Sequence, residues 1–332
     1  MIPVPKTTLE SLALAYGTQA SDLRHFGGGE ESSDGIVYVY PYQETQRLLK
    51  IMAISKDSQR EGLLCLEGRL QFMRYLGENG AHIVFPQLSP GKNLYETFFG
   101  EQHLWVGYSM KIAPGKTRHE KTWNLEFFRQ WGATLGTLHR LTQQYSSWQA
   151  LIDVETGAEY LTWWREWESF YHWIQDEEVQ SKWVEIKQHL ETLPVTRESF
   201  GLIHNDPHIW NLLDDGTQIT VLDFDVANHH WFVNDIAIAC QHILIFLSGG
   251  LNGPVHQRNK LLGFLENFLA GYASENQVPP ECLAWLDWFI AYRRILLFTV
   301  MNDWVRSNPK LHTSWKRMIL SSPAVVGDAL VG

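Results

Sequence analysis

The stretch GLIHNDPHIWNLLDDGTQITVLDFD, residues 201–225, constrains the fold more than any other part of the chain. An apolar run stops at His204-Asn205-Asp206-Pro207-His208. The chain then resumes as two short apolar runs around a turn centred on Gly216, and ends at Asp223-Phe224-Asp225. Short apolar runs bounded by turn residues read as strand, loop and hairpin. A segment that only filled a core would not gather acids and histidines among apolar neighbours, because a buried charge is costly unless it is paired or binds a metal. The hairpin runs Leu212-Leu213 and Val221-Leu222 therefore read as a scaffold that holds charged groups in register.

The rest of the chain divides in two. Residues 7–17 suit a short helix, with Thr7 or Thr8 as cap and Gly17 as stop. The triplet Gly27-Gly28-Gly29 reads as a turn before the first strand, followed by the acidic run Glu30-Glu31-Ser32-Ser33. Strands are expected over 36–40, 47–53, 83–85, 94–99 and 104–112. One helix is expected over 61–79, where Leu63, Leu66, Leu70, Met73 and Leu76 share a face and Gly80 closes the end. Beyond Gly115 the pattern turns helical, with expected helices over 124–144, 161–174 and 179–193, and mostly helix after Asp235. The expected architecture is α+β and bilobal. Residues 1–111 form a small antiparallel β lobe with one helix, and residues 112–332 a larger, mainly helical lobe.

His204, Asp206 and Asn211 are spaced H-x-D-x-x-x-x-N, and Asp223-Phe224 follows the hairpin. Protein-kinase catalytic loops use that spacing, with a later Asp-Phe pair that places a metal ligand. The chemistry explains the residue types. Mg²⁺ on a nucleoside triphosphate takes hard oxygen ligands, typically one or two carboxylates with phosphates and water. Asn211 and Asp223 supply such oxygens, and Asp206 can accept the proton of an attacking hydroxyl. Lys50, alone among apolar neighbours in LLKIM, is the candidate for the α- and β-phosphates of ATP or GTP, with Glu67 on the helix as its partner. Backbone N–H groups at Gly28 and Gly29 can face phosphate oxygens.

Each residue also has a bland reading. Asp206 can cap a turn, Lys50 can be an ordinary edge-strand lysine, and glycine triplets are usually just turns. His204 reads as a packing residue that holds the loop. His208 either faces the transferred phosphate or fixes the loop. A zinc pair of His204 and His208 is disfavoured because Pro207 breaks the helix that it would need. His229-His230 reads as a surface or loop pair. Tryptophans 163, 164, 167, 173 and 183 read as core, or alternatively as the wall, with Glu166, Glu168, Asp176, Glu177 and Glu178, of a pocket for a cationic, ring-bearing molecule. APGKT at 113–117 resembles the end of a Walker A loop, but position 110 is Met and the first glycine is missing.

Several segments together resemble the aminoglycoside phosphotransferase and choline kinase family, the small-molecule branch of the protein-kinase-like fold. HNDPHIWN is similar to that family's HGDLHxxN, VLDFD to its IDFD or IDWE, and LEFFRQWGATLGTLHRLT to its long helix ending in G-x-L-H-x-L. WFVNDIAIA resembles the following helix, with Asp235 as the usual acidic residue, expected to cap that helix or tie down the loop. RLQFMRYLGENG resembles the N-lobe helix. The resemblance implies transfer of the ATP or GTP γ-phosphate to a hydroxyl, with Asp206 as base and Asn211 and Asp223 on Mg²⁺. It implies a purine hinge near Met110–Ala113, with Met110 and Ile112 at the base. Asp225 stands where protein kinases have glycine, and is a second metal-proximal acid or a loop-fixing acceptor. Asn205 and Pro207 replace the usual Gly and Leu. Arg69 stands where many relatives have Glu, and Glu67 lies about 200° away around the helix.

Bulk properties narrow the partners. The formal charge of −10 opposes a nucleic-acid partner, which needs a basic face; it favours a cationic or neutral partner, or serves only solubility. Cys65, Cys240 and Cys282 are far apart with no CxxC, as expected of buried thiols in a reducing compartment. MIPVPKTTLESLALAYG lacks signal-peptide order, and the run 236–247 is too short to span a bilayer. The expected location is cytoplasmic, away from membranes. The acceptor class is expected to be a small hydroxylated amine or sugar. The alternatives are a Ser/Thr side chain on a protein, or a nucleotide-binding pseudokinase.

Overall fold

The computed structural model describes residues 3–29, 35–247, 258–321 and 324–327. The chain forms two compact units, one of residues 1–115 with 220–225, the other of residues 116–219 with 226–332.

In the first unit, helix α1 (Lys6–Ala15) precedes strands β1 (Arg24–Gly28), β2 (Ile36–Tyr42) and β3 (Thr45–Ser55). Helix α2 (Gln59–Glu78) and strands β4 (Pro86–Gln87), β5 (Glu96–Phe99) and β6 (His103–Lys111) follow. The strands form one antiparallel sheet ordered β1-β2-β3-β6-β4, with β5 also on β6. Gly27 and Gly28 therefore end a strand rather than forming a turn ahead of the first one. With so few side chains, RHFGG carries no alternation that would reveal the strand.

Successive residues of β3 point to opposite faces. Leu49 and Ile51 join Leu12, Tyr16, Tyr40 and Trp105 in a buried cluster, so Lys50 points the other way. The Tyr16 hydroxyl donates to the Gly107 carbonyl at 2.7 Å and fastens α1 to the sheet. In α2, Leu66, Leu70, Met73 and Leu76 are buried as the 3.6-residue period requires. Gly80 follows the helix at φ +91°. Ile83 makes one bridge to Val221. The Val221 amide donates to His82 O at 2.9 Å, and Val84 N donates to Val221 O at 3.0 Å.

The second unit holds helix α3 (Leu125–Thr142), a small pair β7 (Leu151–Ile152) and β8 (Glu159–Tyr160), and helices α4 (Trp163–Tyr171) and α5 (Glu177–Leu190). Strand β9 (Phe200–Ile203) leads to the 204–208 loop and then to β10 (Leu212–Asp214). Strand β11 (Ile219–Val221) follows a turn closed by Asp215 N on Gln218 O at 3.3 Å. Next come β12 (Asn228–Trp231), α6 (Phe232–Leu247), α7 (Arg258–Glu275), α8 (Pro280–Leu283), α9 (Leu286–Val300), α10 (Asn302–Arg306) and α11 (Pro309–Ser321). The Asn124 side chain caps α3 by accepting from Phe127 N at 2.8 Å. Asp176 does the same for α5 through Glu178 N and Val179 N.

Helices α3 and α7 approach at glycines. A Cβ on Gly132 would lie 1.8 Å from Phe268 O, and one on Gly271 1.8 Å from Arg129 O. Strand β12 pairs antiparallel with β9. His229 and His230 belong to it and are buried at 1% and 0% exposure, which corrects their reading as a surface pair. All four residues of β12 are buried, so the alternation that marks a half-exposed strand is absent. Trp163, Trp167 and Trp183 are core residues, whereas Trp173 is exposed. The three cysteines are unbonded thiols. Among the described residues, no helix is long and apolar enough to cross a membrane.

Candidate active site

In the second unit the polar knot is a tightly fastened loop. Strand β9 delivers it at Ile203, and a carboxylate from the first turns of α6 holds it. Asp235, fully buried, accepts Asn205 N at 2.8 Å, His204 N at 3.2 Å and His139 Nε2 at 3.1 Å. The other ring nitrogen of His139 meets the Tyr272 hydroxyl at 2.8 Å. Of the two expectations for Asp235, the structure gives contact with the loop backbone. A buried carboxylate needs such full satisfaction, and three donors supply it.

His204, 1% exposed, accepts Asp206 N on Nδ1 at 3.1 Å. Asn205 has φ +65°, a conformation that glycine adopts freely and asparagine tolerates. Its side chain offsets that strain. Nδ2 donates to Glu166 Oε2 at 2.5 Å and to Val226 O at 3.1 Å, and Oδ1 accepts from Asn234 Nδ2 at 2.8 Å.

Asp206 stands at the centre. Arg293 Nη2 donates to its Oδ1. His208 Nε2 lies 3.3 Å from Oδ2, and Asn211 Nδ2 donates to its main-chain carbonyl at 2.9 Å. Burial pushes its carboxyl pKa up, but the charge of Arg293, the His208 hydrogen bond and the nearby histidines outweigh this and hold it down to about 2. The group is therefore a firmly ionised acceptor. Because Asn211 spends its Nδ2 on Asp206, its Oδ1 is presented as a hard oxygen donor of the kind Mg²⁺ takes.

In the first unit, Lys50 reaches down from β3 to the end of the 220–225 segment. Its Nζ donates to Asp225 Oδ2 and lies 3.8 Å from Asp223 Oδ1. The Tyr108 hydroxyl, across the strand pair from Lys50, donates to Asp225 Oδ1 at 3.4 Å. Burial raises the Tyr108 pKa well above its ordinary value, and the Asp225 and Asp223 charges add to this, so Tyr108 stays a neutral donor. Asp223 lies just past β11 at φ +61°, and its side chain is 51% exposed, open enough to offer its oxygens to a cation. Phe224 is buried against Phe72 of α2, which anchors the turn between the two acids.

The expected pairing of Lys50 with Glu67 is not what forms. Glu67 accepts from Gln71 at 2.9 Å and from the Tyr95 hydroxyl at 3.5 Å, while Lys50 goes to Asp225 and Asp223. Arg69, two positions on, is near enough for its charge to act on Tyr108. A helix turns about 100° per residue, so the two positions face different neighbours. Gly28 and Gly29 have φ +71° and +89°, and Gly29 N donates to Gly35 O at 3.1 Å. A Cβ on Gly28 would lie 2.2 Å from Gly35 O, so the chain closes there on itself. The acidic run 30–34 lies outside the described residues. Met110 is buried in β6 opposite Leu48 and Pro86, and Ile112, just past the strand, is 41% exposed.

Glu166, Arg293 and Tyr108 contact these groups without having been singled out for it by the sequence. For Arg293 no local signal existed: it lies 87 positions from Asp206 inside an apolar helix.

Comparison with known proteins gives concordant results. Residues 66–294 match the model of the phosphotransferase enzyme family. The chain is similar to amicoumacin kinase of Bacillus subtilis (strain 168), with 25% identity over 304 residues, covering 89% of this chain and 84% of that one. Among solved structures it resembles an amicoumacin kinase in complex with AMP-PNP, Ca²⁺ and Ami, with a TM-score of 0.81 and 23% identity, over 96% of this chain and 94% of the other. It also resembles a microcompartment-associated aminopropanol kinase, with a TM-score of 0.67 and 19% identity, over 95% and 94%. These likenesses establish a kinase-like small-molecule phosphotransferase fold.

Proposed function

The chain belongs to the phosphotransferase enzyme family, and from that premise we propose that it transfers the γ-phosphate of ATP, with Mg²⁺, to a hydroxyl of a small hydroxylated amine of the amicoumacin or amino-alcohol kind. The observation that carries this reading is the state of Asp206: ionised, fixed by Arg293 and His208, on a backbone locked by Asp235.

The acceptor hydroxyl donates to the Asp206 carboxylate and is oriented by it. A carboxylate held so acidic takes the proton late, which suits a loose phosphoryl-transfer transition state where positioning and charge neutralisation supply most of the rate. His204 and Asp235 hold the loop, and His208 keeps the carboxylate in place. Asn211 Oδ1 and the Asp223 carboxylate would hold Mg²⁺, which would neutralise phosphate charge, and Asp225, two residues after Asp223, is a second acid of that segment. Lys50 exchanges part of its pairing with Asp225 for the α- and β-phosphates. The Gly29 amide is already spent on Gly35 O, so the expected phosphate contact of Gly28 and Gly29 is not carried forward, and Met110 and Ile112 flank the purine. Glu67 has its own partners and is given no contact with the nucleotide. A protein Ser/Thr acceptor or an inactive nucleotide binder is not favoured, since the family and the similar proteins are small-molecule phosphotransferases.

Titration calorimetry with ATP and GTP, each with and without Mg²⁺, followed by turnover with amicoumacin and aminopropanol, tests the reading. Asp206→Asn is expected to keep MgATP binding and lose transfer. Undiminished turnover in that variant would remove Asp206 from the mechanism.

A further inference from the structure

The ion pair of Arg293 with Asp206 is part of a closed ring. Asp206 follows Asn205, whose Nδ2 donates to Glu166 Oε2 at 2.5 Å. The hydroxyl of Tyr292 donates to the other oxygen, Glu166 Oε1, at 2.9 Å. Arg293 follows Tyr292 and returns to Asp206 Oδ1. Loop, α4 and α9 are thus tied at two points, so the guanidinium does not reach Asp206 as a flexible surface arm. Its side chain is 13% exposed, and Asn228 Nδ2 gives Glu166 a further donor at 3.5 Å. Surface ion pairs fix little because both side chains are free to move. Here both partners are fixed by their chain neighbours meeting on one carboxylate.

We infer that Arg293 is a positioning residue for the phosphotransfer reaction: braced through Tyr292 and Glu166, it holds the Asp206 carboxylate in the rotamer that receives the acceptor hydroxyl. This rests on the proposed role of Asp206. Arginine suits the task because its planar fork fixes direction as well as charge, which a lysine ammonium does not. A ligand of the nucleotide would alter nucleotide affinity when removed; a residue that only aims the base would not.

The test uses the full-length protein and reads γ-phosphate release from MgATP, to amicoumacin or to water, alongside MgATP affinity by calorimetry. Arg293→Ala is expected to lower kcat about 10²-fold, the scale of misplacing a reacting group by an ångström, with MgATP affinity unchanged. Arg293→Lys is expected to recover only part of the loss, and millimolar guanidinium to restore activity to Arg293→Ala but not to Asp206→Asn. Should the alanine variant not fold, Arg293→Gln and Tyr292→Phe carry the same test, the latter by opening the ring with Arg293 intact. Variants that turn over like the wild-type protein overturn the inference. So does a loss of MgATP affinity that accounts for the loss in rate. A wild-type protein that releases no γ-phosphate at all would instead remove the phosphotransferase reading on which the inference stands.

Discussion

Gly263 and Gly271 lie in the same helix, α7, and the same substitution is expected to have opposite effects at the two. A Cβ on Gly263 meets nothing within 4 Å. Alanine there should stabilise by about 1 kcal/mol, the difference in helix propensity, because it removes freedom from the unfolded chain. A Cβ on Gly271 would lie 1.8 Å from Arg129 O, and the neighbouring approach at Gly132 is equally close to Phe268 O. The obstacle is main chain, so no rotamer change relieves it. The helices must separate by roughly 1 Å, against interiors packed like organic crystals. Trp131 then loosens from Phe264 and Phe268, which it meets at 5.7 Å between ring centres. Overpacking of this kind costs about 1–3 kcal/mol, and its upper end applies to a backbone clash. Subtracting the propensity gain leaves a net loss of about 2 kcal/mol for Gly271→Ala.

The effect should reach the site. Tyr272, the next residue, holds His139, which holds Asp235, which holds the loop of Asp206. Thermal and urea unfolding followed by circular dichroism would place the two variants on opposite sides of the wild type, with kcat lowered only in Gly271→Ala. If Gly271→Ala gains stability as Gly263→Ala does, the inferred close approach of α3 and α7 is wrong.

Two further outcomes follow from the site and its surroundings. Burial lowers the pKa of His230 from 6.5 to about 3, so the folded protein keeps it neutral while the unfolded chain protonates it. Its contribution is whole above the unfolded pKa and falls as pH drops from about 6.5 toward 3, with a limiting slope of about 1.4 kcal/mol per pH unit. His230→Phe should flatten that part of the stability profile, and a wild-type-minus-variant difference independent of pH would refute the assignment. At Asn205, φ +65° and three side-chain hydrogen bonds predict a ranking: wild type, then Gly, which keeps the backbone freedom, then Ala, which loses both and costs about 2 kcal/mol. Melting temperatures and kcat of the two variants check the order, and Ala matching or exceeding Gly would contradict it.

What could be read from the residues was local. The apolar run around Lys50, the 3.6-residue spacing of Leu66, Leu70, Met73 and Leu76, and the H-x-D-x-x-x-x-N spacing are all local patterns. Local sterics and solvent exposure write such patterns directly into the chain. They were enough to give the antiparallel sheet and the α2 helix, and to read residues 204–208 as a loop after a strand. They misled where both faces of a strand are covered, as at His229-His230, and where glycines leave no alternation to follow, as in β1.

What only the tertiary structure decided was partnership across long separations. Lys50 meets Asp225 rather than Glu67, and Arg293 meets Asp206. Asp235 turns from its own helix to the loop backbone, and residues 220–225 group with the first unit through Val221, His82 and Val84. A charge needs a counter-charge and a buried amide needs an acceptor, but neither requirement says where along the chain the partner lies. The packing of elements settles that, so candidates such as Lys50 and Asp206 could be named from the sequence while their partners could not.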